Sequence, residues 1–109
     1  MEHLSCFVPG MLALGSSVFD PILNRNHHRD IPLQAPEKEL KLESRNHVEL
    51  ADKLLNGCME SYEMMPTGLG PEKFKFFINH PASSRIKVLE SRYILRPETV
   101  ESIFVMYRV

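Results

Sequence analysis

Residues 93–102 read Tyr93-Ile94-Leu95-Arg96-Pro97-Glu98-Thr99-Val100-Glu101-Ser102, and the fold turns on them. Arg96-Pro97-Glu98 reads as the opening of a helix. Proline at the first helical position costs little, because that N–H has no intrahelical acceptor anyway. Beyond it Val100, Ile103, Phe104 and Tyr107 fall on one face of a helix with about 3.6 residues per turn. Glu98 and Glu101 project from the opposite side. Both stand in the first turn, where the helix dipole favours negative charge. By pattern alone they describe an acidic, solvated helix start.

Working outward, Ser91-Arg92-Tyr93-Ile94-Leu95 reads as a short strand. Phe74-Lys75-Phe76-Phe77-Ile78 is a second, aromatic and modest in strand character. The two can pair as a small hairpin around Pro81 to Ser84. Upstream lies a turn cluster, Pro66-Thr67-Gly68-Leu69-Gly70-Pro71-Glu72. Before it, Asn46 to Met65 is the clearest element. Asn46 can cap, and Glu49 completes a capping-box-like pattern. Val48, Ala51, Leu55, Cys58, Tyr62 and Met65 follow at helical steps, which predicts an amphipathic helix with this stripe in the core.

The N-terminal third divides in two. Residues 1–15 read as a helix with a stripe at Leu4, Phe7, Met11 and Leu14, kinked at Pro9-Gly10 and stopped at Gly15. Residues 16–45 show no period. Pro21, Pro32 and Pro36 punctuate them, and Asn24-Arg25-Asn26-His27-His28-Arg29-Asp30 is polar throughout. Glu37 to Glu43 reads as exposed, with room for a brief helix. Unstructured stretches of this length are unusual in a small domain, so 16–45 is expected to be a surface loop or insertion on something larger.

Composition bounds the rest. The chain has 109 residues, 43% hydrophobic and 25% charged, an ordinary globular balance with room for one domain. Lys+Arg number 13 against Asp+Glu 14, which argues against a nucleic-acid partner reached by bulk electrostatics. No run of about 18 apolar residues spans a membrane. Met1-Glu2-His3 lacks the basic and apolar regions of a signal peptide. Cys6 and Cys58 permit one disulfide without requiring it; two buried thiols fit equally. His27-His28 has no partner at a zinc-ligand spacing and reads as solvated loop.

Residues 93–102 closely resemble a signature of the class I α-mannosidases, family 47 of the glycoside hydrolases. Two further stretches resemble the same family in the same order. One is Glu2-His3-Leu4-Ser5-Cys6-Phe7 with Pro9-Gly10 and Leu12-Ala13-Leu14-Gly15 behind it. The other is Met65-Pro66-Thr67-Gly68-Leu69-Gly70-Pro71-Glu72. The resemblance implies an all-α fold, a toroid of seven helical hairpins or (αα)7 barrel, with the small β-hairpin set into it. This chain would be one arc of a single catalytic domain, with no second domain, and its apolar helix faces would meet helices beyond it.

The resemblance also implies chemistry: removal of terminal α-1,2-linked mannose from asparagine-linked high-mannose oligosaccharides, with inversion. An inverting pair of carboxyl groups stands about 6.5–9.5 Å apart, one as acid and one as base for water. By motif position Glu98 is the implied general base. Arg96 would orient carboxylates or sugar hydroxyls through its forked donors. Glu101 would be an acid at the pocket floor, Glu72 another pocket acid, and His3 a hydrogen-bonding neighbour. Glu98 and Glu101, three apart, would repel without a cation or a proton between them. The family supplies Ca2+, whose direct protein ligand is expected outside this chain, as is the general acid. The 109 residues alone are therefore expected to release no mannose from a Man9 glycan.

Cys6 and Cys58 match the cysteines that form the disulfide of active members. Such a bond is worth about 3–5 kcal/mol in the chain-entropy model and implies an oxidising lumen, here that of the endoplasmic reticulum or Golgi. A membrane anchor would lie in a segment absent from this chain. Two alternatives stand beside the enzyme. One is a mannosidase-like or glycan-binding factor of endoplasmic-reticulum-associated degradation, from which the two cysteines point away. The other is a truncated, non-catalytic interaction remnant.

Overall fold

The computed structural model describes residues 1–19, 37–81 and 84–109. A 3₁₀ turn at His3–Phe7 leads into helix α1, Val8–Phe19. Helix α2 spans Glu37–Glu63, strands β1 and β2 span Lys73–Phe76 and Ile86–Glu90, and helix α3 spans Glu98–Arg108. The chain is thus mostly helical with one small antiparallel sheet. Among the described residues, no helix is long and apolar enough to cross a membrane.

Several boundaries differ from those expected, each for a local reason. Pro9 does not kink a helix; it is the second residue of α1, where a missing N–H breaks no bond. Gly15 does not end α1, which runs on to Phe19; one glycine costs about 1 kcal/mol against alanine, and packing on α2 outweighs it. Asn46 is no cap. Helix α2 begins nine residues earlier, at Glu37, because Glu37-Lys38-Glu39-Leu40-Lys41-Leu42 are strong helix formers. The expected loop over 16–45 is therefore helical at both ends. Its middle, with His27-His28 and the prolines Pro21, Pro32 and Pro36, lies outside the described residues.

The hairpin forms around Pro81 and Ser84, with its second strand moved. Residues 91–97 have no regular structure. Instead Ile86-Lys87-Val88-Leu89-Glu90 pairs with β1, Phe74 opposite Val88 and Phe76 opposite Ile86. The β-branched Ile86 and Val88 share the face of Phe74 and Phe76, so one side of the ribbon is apolar. Phe74 and Ile86 are buried with Cys6 and Cys58 in one cluster. A disulfide joins Cys6 to Cys58, Cα atoms 6.1 Å apart.

The helices meet along small residues. Ala13 and Ser16 of α1, Ser44, Ala51, Cys58 and Ser61 of α2, and Thr99 and Ser102 of α3 are all buried. Gly10 N–H donates to Ser102 Oγ at 3.0 Å, and Ser102 Oγ donates to the Cys6 carbonyl at 2.6 Å. A Cβ on Gly10 would come within 3.2 Å of the Ser102 Cα, so glycine there lets α3 approach α1. The large apolar stripes lie on the other side. Leu14 is 54% exposed, Phe104 64% and Tyr107 86%.

A backbone ladder ties the N-terminus to the hairpin. Glu2 bridges to Lys73, His3 N–H donates to the Glu72 carbonyl at 2.9 Å, and Phe74 N–H donates to the Met1 carbonyl at 3.0 Å. On the other side Glu72 N–H donates to the Arg92 carbonyl at 3.0 Å. Main-chain bonds therefore bring His3, Glu72 and the approach to Arg96 to one place.

Candidate active site

Four of the five expected pocket residues converge where this ladder meets the start of α3. Arg96 lays its fork on Glu72: Nε and Nη2 donate to the two carboxylate oxygens, each at 2.7 Å. This bidentate pair holds the Glu72 carboxyl below its ordinary range and raises the Arg96 guanidinium in turn.

His3 sits behind the pair, 1% exposed. Its Nε2 shares a hydrogen bond of 2.6 Å with the Tyr62 hydroxyl, and Thr99 Oγ1 lies 3.4 Å from the same nitrogen. Its Nδ1 faces Glu98 Oε2 at 3.7 Å, too long for a hydrogen bond. Both of these atoms are buried and lack a hydrogen-bond partner among the described residues. Burial lowers the His3 imidazole below its ordinary value, opposed chiefly by the charges of Glu98 and Glu72. Burial likewise raises the Tyr62 phenol.

Local sequence explains the placement. Pro97 caps α3 with helical φ and ψ, so Glu98 enters the first turn pointing back towards the 3₁₀ turn that carries His3. Leu95, just upstream, has φ 58°, a left-handed conformation that turns the chain so that Arg96 reaches Glu72. Tyr62 comes from the last turn of α2. Gly70 passes so close to its ring that a Cβ would lie 2.4 Å from one ring carbon.

Glu101 stands apart. It is exposed and lines a separate cavity of about 180 Å³ with Phe7, Gly10, Met11, Leu14 and Val105. Nothing in the described residues brings it into contact with His3, Glu72 or Arg96. Conversely, Tyr62 and Thr99 belong to the cluster although no expected role attached to them. Tyr62 reads in sequence as one member of an apolar stripe, and its hydroxyl is the sole sign that the site also claims it.

The described residues hold no ready cluster of acidic ligands for calcium. Calcium takes about six to eight oxygen ligands. No group of three His, Cys, Asp or Glu side chains among the described residues could hold a metal ion, and the Glu72 oxygens are taken by Arg96. What the cluster offers is one buried carboxylate oxygen without a partner, a buried imidazole beside it, and a fixed cationic fork.

The sequence as a whole is similar to known proteins. The profile of glycosyl hydrolase family 47 matches residues 1–109. Over its whole length the chain is 39% identical to mannosyl-oligosaccharide alpha-1,2-mannosidase IA of Spodoptera frugiperda, of which it covers 13%. It is 35% identical to the endoplasmic reticulum mannosyl-oligosaccharide 1,2-alpha-mannosidase of Homo sapiens, again covering 13%. Against the enzyme of that name from Schizosaccharomyces pombe it is 32% identical and covers 19%. The chain thus spans under a fifth of the length of these relatives. No solved structure matches it significantly.

Proposed function

This chain belongs to glycosyl hydrolase family 47, and from that premise we propose that it forms part of the catalytic pocket of an α-1,2-mannosidase. The proposed reaction is hydrolysis of terminal α-1,2-linked mannose from high-mannose N-glycans, with inversion at the anomeric carbon. Glu98 is the proposed general base and takes a proton from the attacking water. The observation that carries this reading is the buried Glu98 Oε2 with no partner. Buried carboxylate oxygens are ordinarily paired, so one left unpaired beside a buried imidazole marks Glu98 as a carboxylate kept for the pocket and not spent on a structural bond. Arg96, locked to Glu72, contributes a fixed positive charge and its unused N–H donors to sugar hydroxyls.

In this reading the general acid, the calcium ion and its ligands come from segments beyond these residues, as does the closure into an (αα)7 barrel. Glu101 joins the pocket only through those segments. The Cys6–Cys58 disulfide and the names of the relatives support a lumenal address. We place it in the endoplasmic reticulum, with the Golgi as the alternative and membrane anchoring through another segment of the protein.

The test is Glu98→Gln in the full-length protein. Mannose release from a Man9 glycan should fall by at least about a hundredfold, the low end of what a general base supplies, with secretion and glycan binding retained. Near-normal turnover would refute the assignment. The same variant separates the enzyme from a glycan-binding relative, whose binding would survive with no turnover to lose.

A further inference from the structure

We propose that Tyr62 is a positioning residue for the base: its hydroxyl donates to His3 Nε2, which keeps the ring proton on Nδ1, the nitrogen that faces Glu98. This rests on the reading of Glu98 as the base.

A neutral imidazole has one donor and one acceptor nitrogen, and the partner of one fixes the role of the other. The groups facing His3 come from every element around it. They are Tyr62 from α2, Glu72 from the turn before β1, Tyr93 and Arg96 from the segment before α3, and Thr99 and Glu98 from α3. Of these, Tyr62 is the one within close hydrogen-bond distance of a ring nitrogen, at 2.6 Å.

Two arrangements are open to the pair. If Nε2 held the proton and donated to Tyr62, the Nδ1 lone pair would point at Glu98 Oε2 at 3.7 Å. Two buried acceptors would then face each other, which is unfavourable. If Tyr62 donates, an N–H faces the carboxylate. Burial keeps the phenol protonated and the imidazole neutral, so Tyr62 has its proton to give and Nε2 is free to accept it. The gap of 3.7 Å can tighten when substrate arrives. An N–H aimed at one carboxylate oxygen then fixes the plane of the group and leaves the other oxygen for water. The phenol itself is held in place, because Gly70 leaves no room for a side chain against its ring.

The test uses the full-length protein with a high-mannose oligosaccharide. Tyr62→Phe should lower kcat by at least about tenfold with KM changed less than about twofold, comparable with the loss of partners that orient metal-bound histidines. Histidine-selective ¹⁵N spectra of the wild type should place the His3 proton on Nδ1, a readout that needs no variant to fold. A Tyr62→Phe protein with unchanged kcat, or one whose KM rises in step with the loss of kcat, overturns the proposal, as does a proton on Nε2. Inactive Glu98→Gln beside normal Tyr62→Phe removes this inference alone. Active Glu98→Gln removes the base reading itself.

Discussion

Leu95 is an exposed leucine held at φ 58°, where an L side chain costs about 1–2 kcal/mol. The turn delivers Arg96 to Glu72. His3 carries a cost of another kind. It is buried, and its imidazole is lowered in the folded state from 6.5. Below that pH the unfolded chain takes up a proton that the folded chain refuses. Stability from this group is therefore full above about pH 6.5 and falls as the pH drops towards its folded value, by at most about 1.4 kcal/mol per pH unit. Glu72, lowered from 4.5 by Arg96, adds a loss only at more acid pH, as pH falls through its depressed folded value. His3→Gln should flatten the denaturant midpoint between pH 7 and pH 5.5; an unchanged slope would mean that other groups set the acid limit. Glu98 and Arg96 were legible as motif residues only through the family resemblance, because helical spacing alone makes Glu98 part of a solvated helix start. Tyr62 was not, since the spacing that puts it on an apolar stripe is satisfied whether its hydroxyl works or idles.

At the scale of elements, helix existence and the hairpin turn could be read from the sequence, and boundaries and faces could not. Both sides of the 3₁₀ turn and α1 carry helical spacing. Leu4, Phe7, Met11 and Leu14 form one row, and Cys6, Pro9, Ala13 and Ser16 the other. Hydrophobicity selects the larger row for burial, whereas close helix contact selects the smaller, because interaxial distance follows side-chain size. In α3 the same rule buries Thr99 and Ser102 and leaves Val100 and Ile103 exposed. The disulfide clamps this arrangement across a separation of 52 residues. Replacing both cysteines by serine should remove about 4 kcal/mol in the chain-entropy model. Denaturant unfolding of the double variant measures this, and a loss under about 1 kcal/mol would show that the seam holds without the bond.

For the molecule as a whole, the exposed rows of α1 and α3 are continuous. Leu14, Phe104, Val105 and Val109 line an open cavity of about 580 Å³ between them. Apolar surface gathered in this way marks a place where more protein belongs, consistent with a chain that spans 13% to 19% of its relatives. The chain on its own should bind an apolar dye such as ANS. Leu14→Ser with Phe104→Ser should cut the bound fluorescence at least about twofold without loss of helical circular dichroism, because both changes lie outside the buried seam. Equal fluorescence would place the dye elsewhere. That the stripes face outward was legible only through family resemblance, because amphipathic spacing names a face without naming what covers it.

The imidazole of His3 is delivered to its post by main-chain bonds from residues 1–3 to 72–74. Any amino acid with an N–H supplies those bonds. Glu2 and Lys73, whose exposed ion pair at 3.4 Å is worth little, can therefore drift over evolutionary time without moving the ring. The address is written in the backbone, and the side chains along it are free to change their spelling.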